Sequence, residues 1–236
     1  MTGGIAEGIV ERKVAILGRL GVYPMVRLSL PARRLLAYLA LQGRQVLRTA
    51  AASNLWLDLP EEAGRANLRR ALWHVPRGWI ETTGDELALS ADVDFARAQA
   101  VAARALKGEA LTYENIVLLS NDILPGWHEE WLIAGQEAFR LLRVEALEAA
   151  CRVMTRSADL ALATQAGVAA LTAEPLRESA AEALIDAYLA QRNRYQAVQC
   201  YRSLARRLAC ELGVTPDEAL AKRVAGICPA ASRAAH

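Results

Sequence analysis

Residues 61–89, EEAGRANLRRALWHVPRGWIETTGDELAL, carry the signals for a helix followed directly by two short strands. Small and apolar residues recur at helical spacing from Gly64 to Val75, and Pro76 ends that pattern. Two runs rich in strand-forming residues follow, separated by Thr83-Gly84-Asp85, where glycine supplies the positive backbone angle of a tight turn. We therefore predict a helix over Glu61–Val75 and a hairpin over residues 79–89.

The residues before this stretch predict three short strands and two further helices. Extended runs cover residues 14–17, 20–23 and 26–30, the last with clean alternation of apolar and polar residues. A first helix is expected from Pro31 to Gly43, and a shorter second helix from Thr49 to Trp56. Strands, three helices and a closing hairpin in this order are typical of a winged helix-turn-helix of the response-regulator kind.

The second half of the chain has a different texture. From Asp94 onward it reads as alanine- and leucine-rich helix, and a shift of 34 residues places Ala163 on Ala197 and Gln165 on Gln199. A period of about 34 is that of tetratricopeptide helix pairs, in which small residues let the helices approach closely. We predict a mainly α protein with a small β component, organised as a winged helix (1–93) and an all-α tetratricopeptide-like repeat domain (94–236).

The overall charge is nearly balanced, but its distribution is not. The chain has 28 basic and 26 acidic residues, whereas Arg27–Arg77 contains nine arginines and three acids, a net charge of +6. A basic stretch that coincides with a helix-turn-helix indicates a nucleic-acid partner, although an ordinary solvated surface gives the same count. Arginine's planar, forked donor suits both phosphate and guanine.

The third helix is expected to project its arginines away from the core. Its outward face and edges carry small, amide, aromatic and cationic groups suited to the major groove, since Arg pairs bidentately with guanine and Asn with adenine. These candidate DNA-binding residues are Arg65, Ala66, Asn67, Arg69, Arg70, Trp73, His74 and Arg77. The alternative is a solvated face whose arginines pair with Glu62 or water, and Trp73 is equally compatible with packing on the hairpin or the second domain.

Phosphate contacts are expected at the start of the second helix and near the hairpin. Arg44 and Arg48 precede that helix, and Thr49 is placed to cap it, so cations and backbone N–H groups would attract one anion. The alternative is that both arginines only aid solubility. Thr83 is a further candidate, but Asp85 and its neighbour Glu86 make the hairpin tip acidic, which disfavours a minor-groove contact.

Several function classes are not supported by the sequence. The cysteines (Cys151, Cys200, Cys210 and Cys228) and the histidines (His74, His128 and His236) form no metal-ligand spacing, which favours buried free thiols and no metal. No phosphate loop, activated nucleophile or paired carboxylates are evident, so we expect neither a cofactor nor an enzyme. No signal peptide or apolar run of about 18 residues is present, which predicts a cytoplasmic protein without a membrane partner.

Several motifs in fixed order resemble one family along nearly the whole chain. Arg33–Leu41 (RRLLAYLAL), Leu55-Trp56 and Ala66–Leu72 (ANLRRAL) are similar to the DNA-binding half of the Streptomyces antibiotic regulatory protein (SARP) family. Four later segments resemble the bacterial transcriptional activation domain of that family: DILPGW (122–127), EWL (130–132), EPLRE (174–178) and ELGVTP (211–216).

The resemblance implies a sequence-specific transcriptional activator that binds repeated elements in double-stranded promoter DNA, as a homodimer, and contacts RNA polymerase. The alternative function is a protein-interaction adaptor, in which the repeat domain binds a partner and the winged helix does not bind DNA. The acidic hairpin tip is the feature that favours this alternative.

Overall fold

The computed structural model describes residues 11–227. The elements of its N-terminal part are β1 (Lys13–Ala15), β2 (Gly21–Tyr23), α1 (Leu30–Gln42), β3 (Val46–Leu47), α2 (Arg48–Leu55), α3 (Glu61–Trp73), β4 (Ile80–Thr83), β5 (Glu86–Leu89) and β6 (Asp92–Val93). The helices that follow are α4 (Asp94–Leu106), α5 (Tyr113–Leu119), α6 (Glu130–Arg156), α7 (Leu160–Ala173), α8 (Glu178–Ala190), α9 (Arg194–Leu212) and α10 (Glu218–Ile227). The predicted composition, mainly α with a small β component, is confirmed.

The strands of the N-terminal part form two small sheets. One has the strand order β2-β1-β6, with β1 antiparallel to β2 and parallel to β6. The other has the order β3-β5-β4 and is antiparallel throughout, with Val46 opposite Leu87 and Thr83 opposite Glu86. The predicted hairpin is thus confirmed as β4 and β5, and Gly84 between them has a φ of +57°.

The predicted helices α1, α2 and α3 are confirmed to within about two residues at each end. In α1, proline occupies the first turn, and Gly43 adopts a left-handed conformation while its N–H donates to the Leu39 carbonyl. Glycine closes a helix readily in this conformation because it has no Cβ to clash. Leu35, Leu36 and other α1 side chains are fully buried in the core.

The N-terminal strands differ from the prediction in three places. One is β6, which was not predicted because its parallel pairing with β1 depends on residues about eighty positions away. Residues 26–30 are not a strand, because alternation gives an extended chain two faces but does not supply a neighbour to pair with. Conversely β3, only two residues long, was not predicted, since its pairing with β5 depends on residues about forty positions away. Short strands of this kind leave almost no local signal.

The contacts divide the chain into two compact units, neither of which is one continuous segment. The first unit contains the residues up to Arg97 together with Asn121–Phe139, and the second contains Ala98–Ser120 together with the residues from Arg140 onward. Within the first unit, the Phe95 and Phe139 rings meet edge-on at 5.2 Å. The predicted domain boundary at residue 93, between the winged helix and the helical repeat domain, stays a prediction.

In the second unit, the 34-residue repeat predicted from sequence extends to the helix caps. Helices α7 and α9 begin 34 residues apart. The Asp159 side chain accepts a hydrogen bond from the Leu162 N–H, and the Asn193 side chain accepts one from the Gln196 N–H. Each cap therefore satisfies a backbone donor that its helix leaves unpaired, at the same place in each copy.

The turns before these caps are also copies of each other. Ala158 has a φ of +61° and Arg192, 34 residues later, a φ of +60°. One turn into each helix, Ala163 and Ala197 are completely buried. The helical repeat predicted for this half of the chain is confirmed.

Close helix packing in the second unit depends on small residues. A Cβ added to Gly167 in α7 would lie 3.0 Å from a Leu184 side chain and 3.1 Å from the Cys151 sulfur. Even one additional methyl group would therefore force α8 or α6 to shift. Farther along, Ile185, Leu204, Leu220 and other side chains of α8, α9 and α10 form one apolar cluster.

A buried carboxylate ties α6 to the start of α8. Glu148 is 5% exposed and accepts hydrogen bonds from Arg177 Nε at 2.7 Å, Ser179 Oγ at 2.9 Å and Arg152. Burial alone would raise the pKa of Glu148, but these hydrogen bonds and the Arg152 charge hold that pKa below its ordinary value. The segment Glu174–Glu178 also makes its ion pairs with distant residues, since Glu174 pairs with Arg140 rather than with Arg177.

Candidate nucleic-acid interface

Helix α3 separates a buried face from a cationic face. Gly64, Leu68 and Ala71 are buried, and Gly64 lies against the Ala52 backbone of α2. The opposite face is solvent-exposed, and its exposed side chains include Arg65, Arg69, Arg70, Trp73 and His74. Its two acids, Glu61 and Glu62, lie in the first turn, where they complement the helix dipole. Beyond that turn, α3 carries cations without acids.

Asn67 and Arg70 form the centre of this face. An Arg70 Nη1 donates a hydrogen bond to the Asn67 amide oxygen at 3.2 Å. Asn67 and Ala66 are half-buried, whereas Arg70 is exposed. The structure thus brings together two of the predicted base-contacting side chains, and the amide orients the guanidinium while leaving its other donors available.

The remaining α3 candidates have different surroundings. Arg65 forms an exposed ion pair with Glu61 at 2.6 Å, one turn earlier, rather than with Glu62. Trp73 is 82% exposed, and its ring meets the His74 ring edge-on at 5.0 Å. Trp73 therefore does not pack on the hairpin of its own unit, whereas its packing on the second domain stays a prediction. Arg77 follows the helix and is exposed.

The start of α2 differs from the prediction. Thr49 is exposed but does not cap the helix, because α2 begins one residue earlier and its N-cap is Leu47, which has no capping side chain. Instead, the Arg48 N–H donates to the Asp85 carbonyl in the hairpin turn at 2.8 Å. The hairpin therefore supplies an acceptor for one of the backbone N–H groups that the start of a helix leaves unpaired.

Arg48 makes a second contact with the hairpin. Its Nη2 lies 3.5 Å from the Thr82 Oγ1, and Arg48 is half-buried whereas Arg44 is fully exposed. Thr83, at the end of β4, is exposed and borders the acidic turn. Arg48 thus contacts the hairpin directly, but through Thr82 and Asp85 and not through the candidate Thr83.

Side chains that the sequence did not single out hold α1 and α2 in place. An Arg34 Nη2 donates to the Leu55 carbonyl at 2.7 Å and to the Glu129 carboxylate at 2.6 Å, and Asn54 donates to the Tyr38 hydroxyl at 3.0 Å. Trp131 is half-buried, and its ring lies 5.4 Å from that of Tyr38. Only the pairing of Arg34 with a residue 95 positions away could have identified this cluster, and no local pattern carries that information.

The cysteines are less buried than predicted. Cys151 is a buried free thiol and Cys200 a half-buried one, and burial raises the pKa of both thiols to about 11. Cys210 is exposed because it lies on the solvent side of α9, and Cys228 lies outside the described residues. Among residues 11–227, no group of three or more His, Cys, Asp or Glu side chains is arranged to hold a metal ion. None of the helices in that range combines the length and apolarity needed to cross a bilayer.

Comparisons with known proteins identify a family and a similar solved structure. The model of the bacterial transcriptional activator domain matches residues 82–227. Comparison with curated protein sequences gives no significant match. The solved structure of Mycobacterium tuberculosis EmbR, in complex with a low-affinity phosphopeptide, is similar with a TM-score of 0.65 and 22% identity.

The similarity to EmbR covers 92% of this chain and 65% of the EmbR chain. At this level of identity it shows a shared fold, while the family match covers more than half of the sequence. The chain belongs to the bacterial transcriptional activator domain family.

Proposed function

We propose that the protein binds promoter DNA sequence-specifically, with residues 1–93 as a winged helix-turn-helix and α3 as its recognition helix. The observation that carries this proposal is the exposed face of α3, where Arg69, Arg70 and His74 project from a helix whose opposite side is firmly packed. An exposed helix of this charge fits the width and potential of the major groove.

Within this interface, Arg70 and Asn67 are assigned to base contacts. The guanidinium suits guanine, and the adjoining amide suits adenine, while the small Ala66 permits close approach of the helix. Arg65, Arg69, Trp73 and His74 flank this pair on exposed positions. The Arg65–Glu61 pair opens at little cost on contact with DNA, since exposed ion pairs contribute about 0–1 kcal/mol.

Phosphate contacts are assigned to the residues around α2 and the hairpin. Arg44 and Arg77 are exposed cations, and Arg48 and Thr49 lie at the beginning of α2, where backbone N–H groups also favour an anion. Thr83 is the hairpin residue assigned to the DNA backbone. These contacts position the protein without selecting a sequence.

The hairpin itself is proposed to brace α2 rather than enter the minor groove. Asp85 and Glu86 would repel phosphate there, whereas the Asp85 carbonyl already holds the Arg48 N–H. The hairpin therefore has a structural role that does not require its acidic tip to contact DNA.

Residues 94–236 are proposed to act as the activation domain, through which the protein contacts RNA polymerase as a homodimer on repeated promoter elements. Family membership supports this part of the proposal. It is separable from DNA recognition, because α3 lies outside the residues that match the family model.

Selection from a random duplex library tests DNA binding and does not require the target genes to be identified beforehand. We expect the full chain to enrich a repeated motif, and footprinting upstream of neighbouring genes to show protection of the same motif. The double variant R69A/R70A should lose about 100-fold in affinity for that motif, since it removes the Arg70 base contact, which contributes about 1–3 kcal/mol, and a flanking cation of the same face.

The matched control is Arg104→Ala, which removes an exposed arginine that pairs with Glu109 in the second unit. It should leave DNA affinity unchanged. An absence of any enriched motif at moderate salt, together with a stable protein complex recovered by pull-down, would support the adaptor instead.

A further inference from the structure

An open groove in the second unit is lined by α5, α7, α8 and α9. It consists of two adjoining cavities of about 470 Å³ and about 530 Å³, which share Val168, Thr172 and Tyr188 as lining residues. All lining residues belong to one compact unit. The DNA-binding proposal makes no use of this groove.

The groove exposes apolar side chains that a packed helical domain would be expected to bury. Val168 is 45% exposed and Tyr113 55% exposed, and Leu171 and Ile116 also line the cavities. Concave surfaces with apolar walls and a few polar groups are where proteins bind ligands, and covering such walls is favourable.

The sequence repeat places amides along the same groove. Gln165 lines one cavity. Gln199, its counterpart 34 residues later, lines the other cavity together with Gln196. Among the described residues, none of these three side-chain amides has a hydrogen-bond partner. Each amide offers both a donor and an acceptor, as a peptide backbone requires. Amides at equivalent positions of successive repeats suit a ligand whose polar groups also recur, which is a property of an extended chain.

The charge of the groove is carried by one residue. Arg207 is the sole charged side chain that lines either cavity, it is exposed, and no carboxylate of residues 11–227 forms an ion pair with it. By contrast Arg152, Arg177 and Arg223, in the same unit, all pair with acids. Because no acid lines the groove, the Arg207 guanidinium is available to pair with a carboxylate of a ligand. A single cation is too little charge for a nucleic-acid backbone.

We propose that this groove binds an extended peptide segment of a partner protein, whose apolar side chains cover Val168 and Leu171 and whose carboxylate pairs with Arg207. The three amides then bond to the peptide backbone. This interaction is independent of α3 and of DNA binding.

Two matched sets of fluorescein-labelled octapeptides test the proposal by fluorescence anisotropy with the full chain. In one set a fixed central Glu is flanked by Leu, Ile, Val or Phe at varied positions, and in the other Gln replaces the Glu. The tightest Glu peptides should bind at least about fivefold more tightly than their Gln counterparts, the scale expected for a charge-assisted hydrogen bond. On titration, the methyl NMR signals of Val168 and Leu171 should shift.

Arg207→Gln should abolish the preference for Glu, whereas Arg206→Gln should preserve it. Arg206 is the neighbouring exposed arginine of α9 and lines neither cavity, so it matches Arg207 in charge and exposure. Equal affinity for the Glu and Gln sets, or equal losses in both variants, would overturn the proposal. So would methyl shifts confined to residues outside the groove. The R69A/R70A variant should bind the Glu and Gln peptides as the original chain does, even where it no longer binds DNA. Failure of one proposal is therefore distinguishable from failure of the other.

Discussion

Arginine has opposite surroundings in two regions of the molecule. Next to Glu148, Arg152 and Arg177 converge on a carboxylate that is almost fully buried. On α3, Arg69 and Arg70 are exposed, and among the described residues neither forms an ion pair with an acid. The contrast separates cations that hold helices together from cations that are available to a polyanionic partner, and substitutions in the two regions should therefore affect different properties.

The largest effect is expected from Glu148→Gln. Glutamine keeps one acceptor oxygen but removes the negative charge that balances two guanidinium groups. Breaking such a pair costs about 3–5 kcal/mol at a fully buried site, and about 2 kcal/mol here because both arginines are partly exposed. Urea denaturation measures the loss. Glu145→Gln, at an exposed position of the same helix, is the control and should change stability by less than about 0.5 kcal/mol. Equal effects at both positions would show that the buried carboxylate contributes no more to stability than an exposed one.

Acid should reproduce part of this effect in the unaltered protein. Because the pKa of Glu148 is lowered by folding, the unfolded chain takes up its proton at a higher pH than the folded one. The contribution is therefore complete above the ordinary glutamate pKa of about 4.5 and is lost as the pH falls below that value. Urea midpoints measured between pH 7 and pH 3 should fall less steeply for E148Q than for the original chain.

Arg70→Ala is expected to change recognition rather than stability. It should reduce the preference for one base pair by about 1–3 kcal/mol, since a bidentate contact is lost, while unfolding shifts by less than about 0.5 kcal/mol. Competition between the selected duplex and its single-base variants measures the change. Uniform weakening on every duplex would mean that Arg70 contacts only phosphate.

Arg48→Ala should weaken binding to all duplexes about equally. The loss of one phosphate contact lowers the slope of log affinity against log salt concentration by about 0.9. Titrations at several salt concentrations provide that slope, and Arg70→Ala serves as the comparison. If both variants changed base preference alike, the assignment of base-contacting and positioning residues would be wrong.

The smallest effect is expected from Glu61→Gln, which removes the exposed partner of Arg65. Both groups are solvated, so the pair contributes little, and stability should change by only about 0.5 kcal/mol once the helix-dipole contribution is included. DNA affinity should rise slightly, since Arg65 is released and one negative charge is lost. A stability loss comparable with that of E148Q would show that burial does not decide the value of these ion pairs.

The parts of the fold that were predictable from sequence are those with a local cause. Helix α1 follows from Pro31 and Gly43, and the repeat follows from alanines that must be small at Ala163 and Ala197. The exposed face of α3 was predictable because helical periodicity fixes which side chains oppose Leu68. In each case a few neighbouring residues determine the outcome.

The rest depended on partners that are distant in sequence. The start of α2 was predicted to be capped by Thr49, but the acceptor is the Asp85 carbonyl, 37 residues beyond Arg48. Arg177 and Ser179 reach Glu148 across about thirty residues, and Arg34 reaches Glu129 across 95. No periodicity links such residues, so these contacts became visible only in three dimensions.

The left-handed turns at Ala158 and Arg192 have the same backbone conformation but different side chains. Their backbone paths agree although one carries a methyl group and the other a long cation, so neither side chain dictates the bend. The paired helices on either side impose it, against a local preference for glycine. Residues 157–159 and 191–193 should therefore be interchangeable segments. Such turns let duplicated units diverge in surface chemistry while their scaffold stays the same.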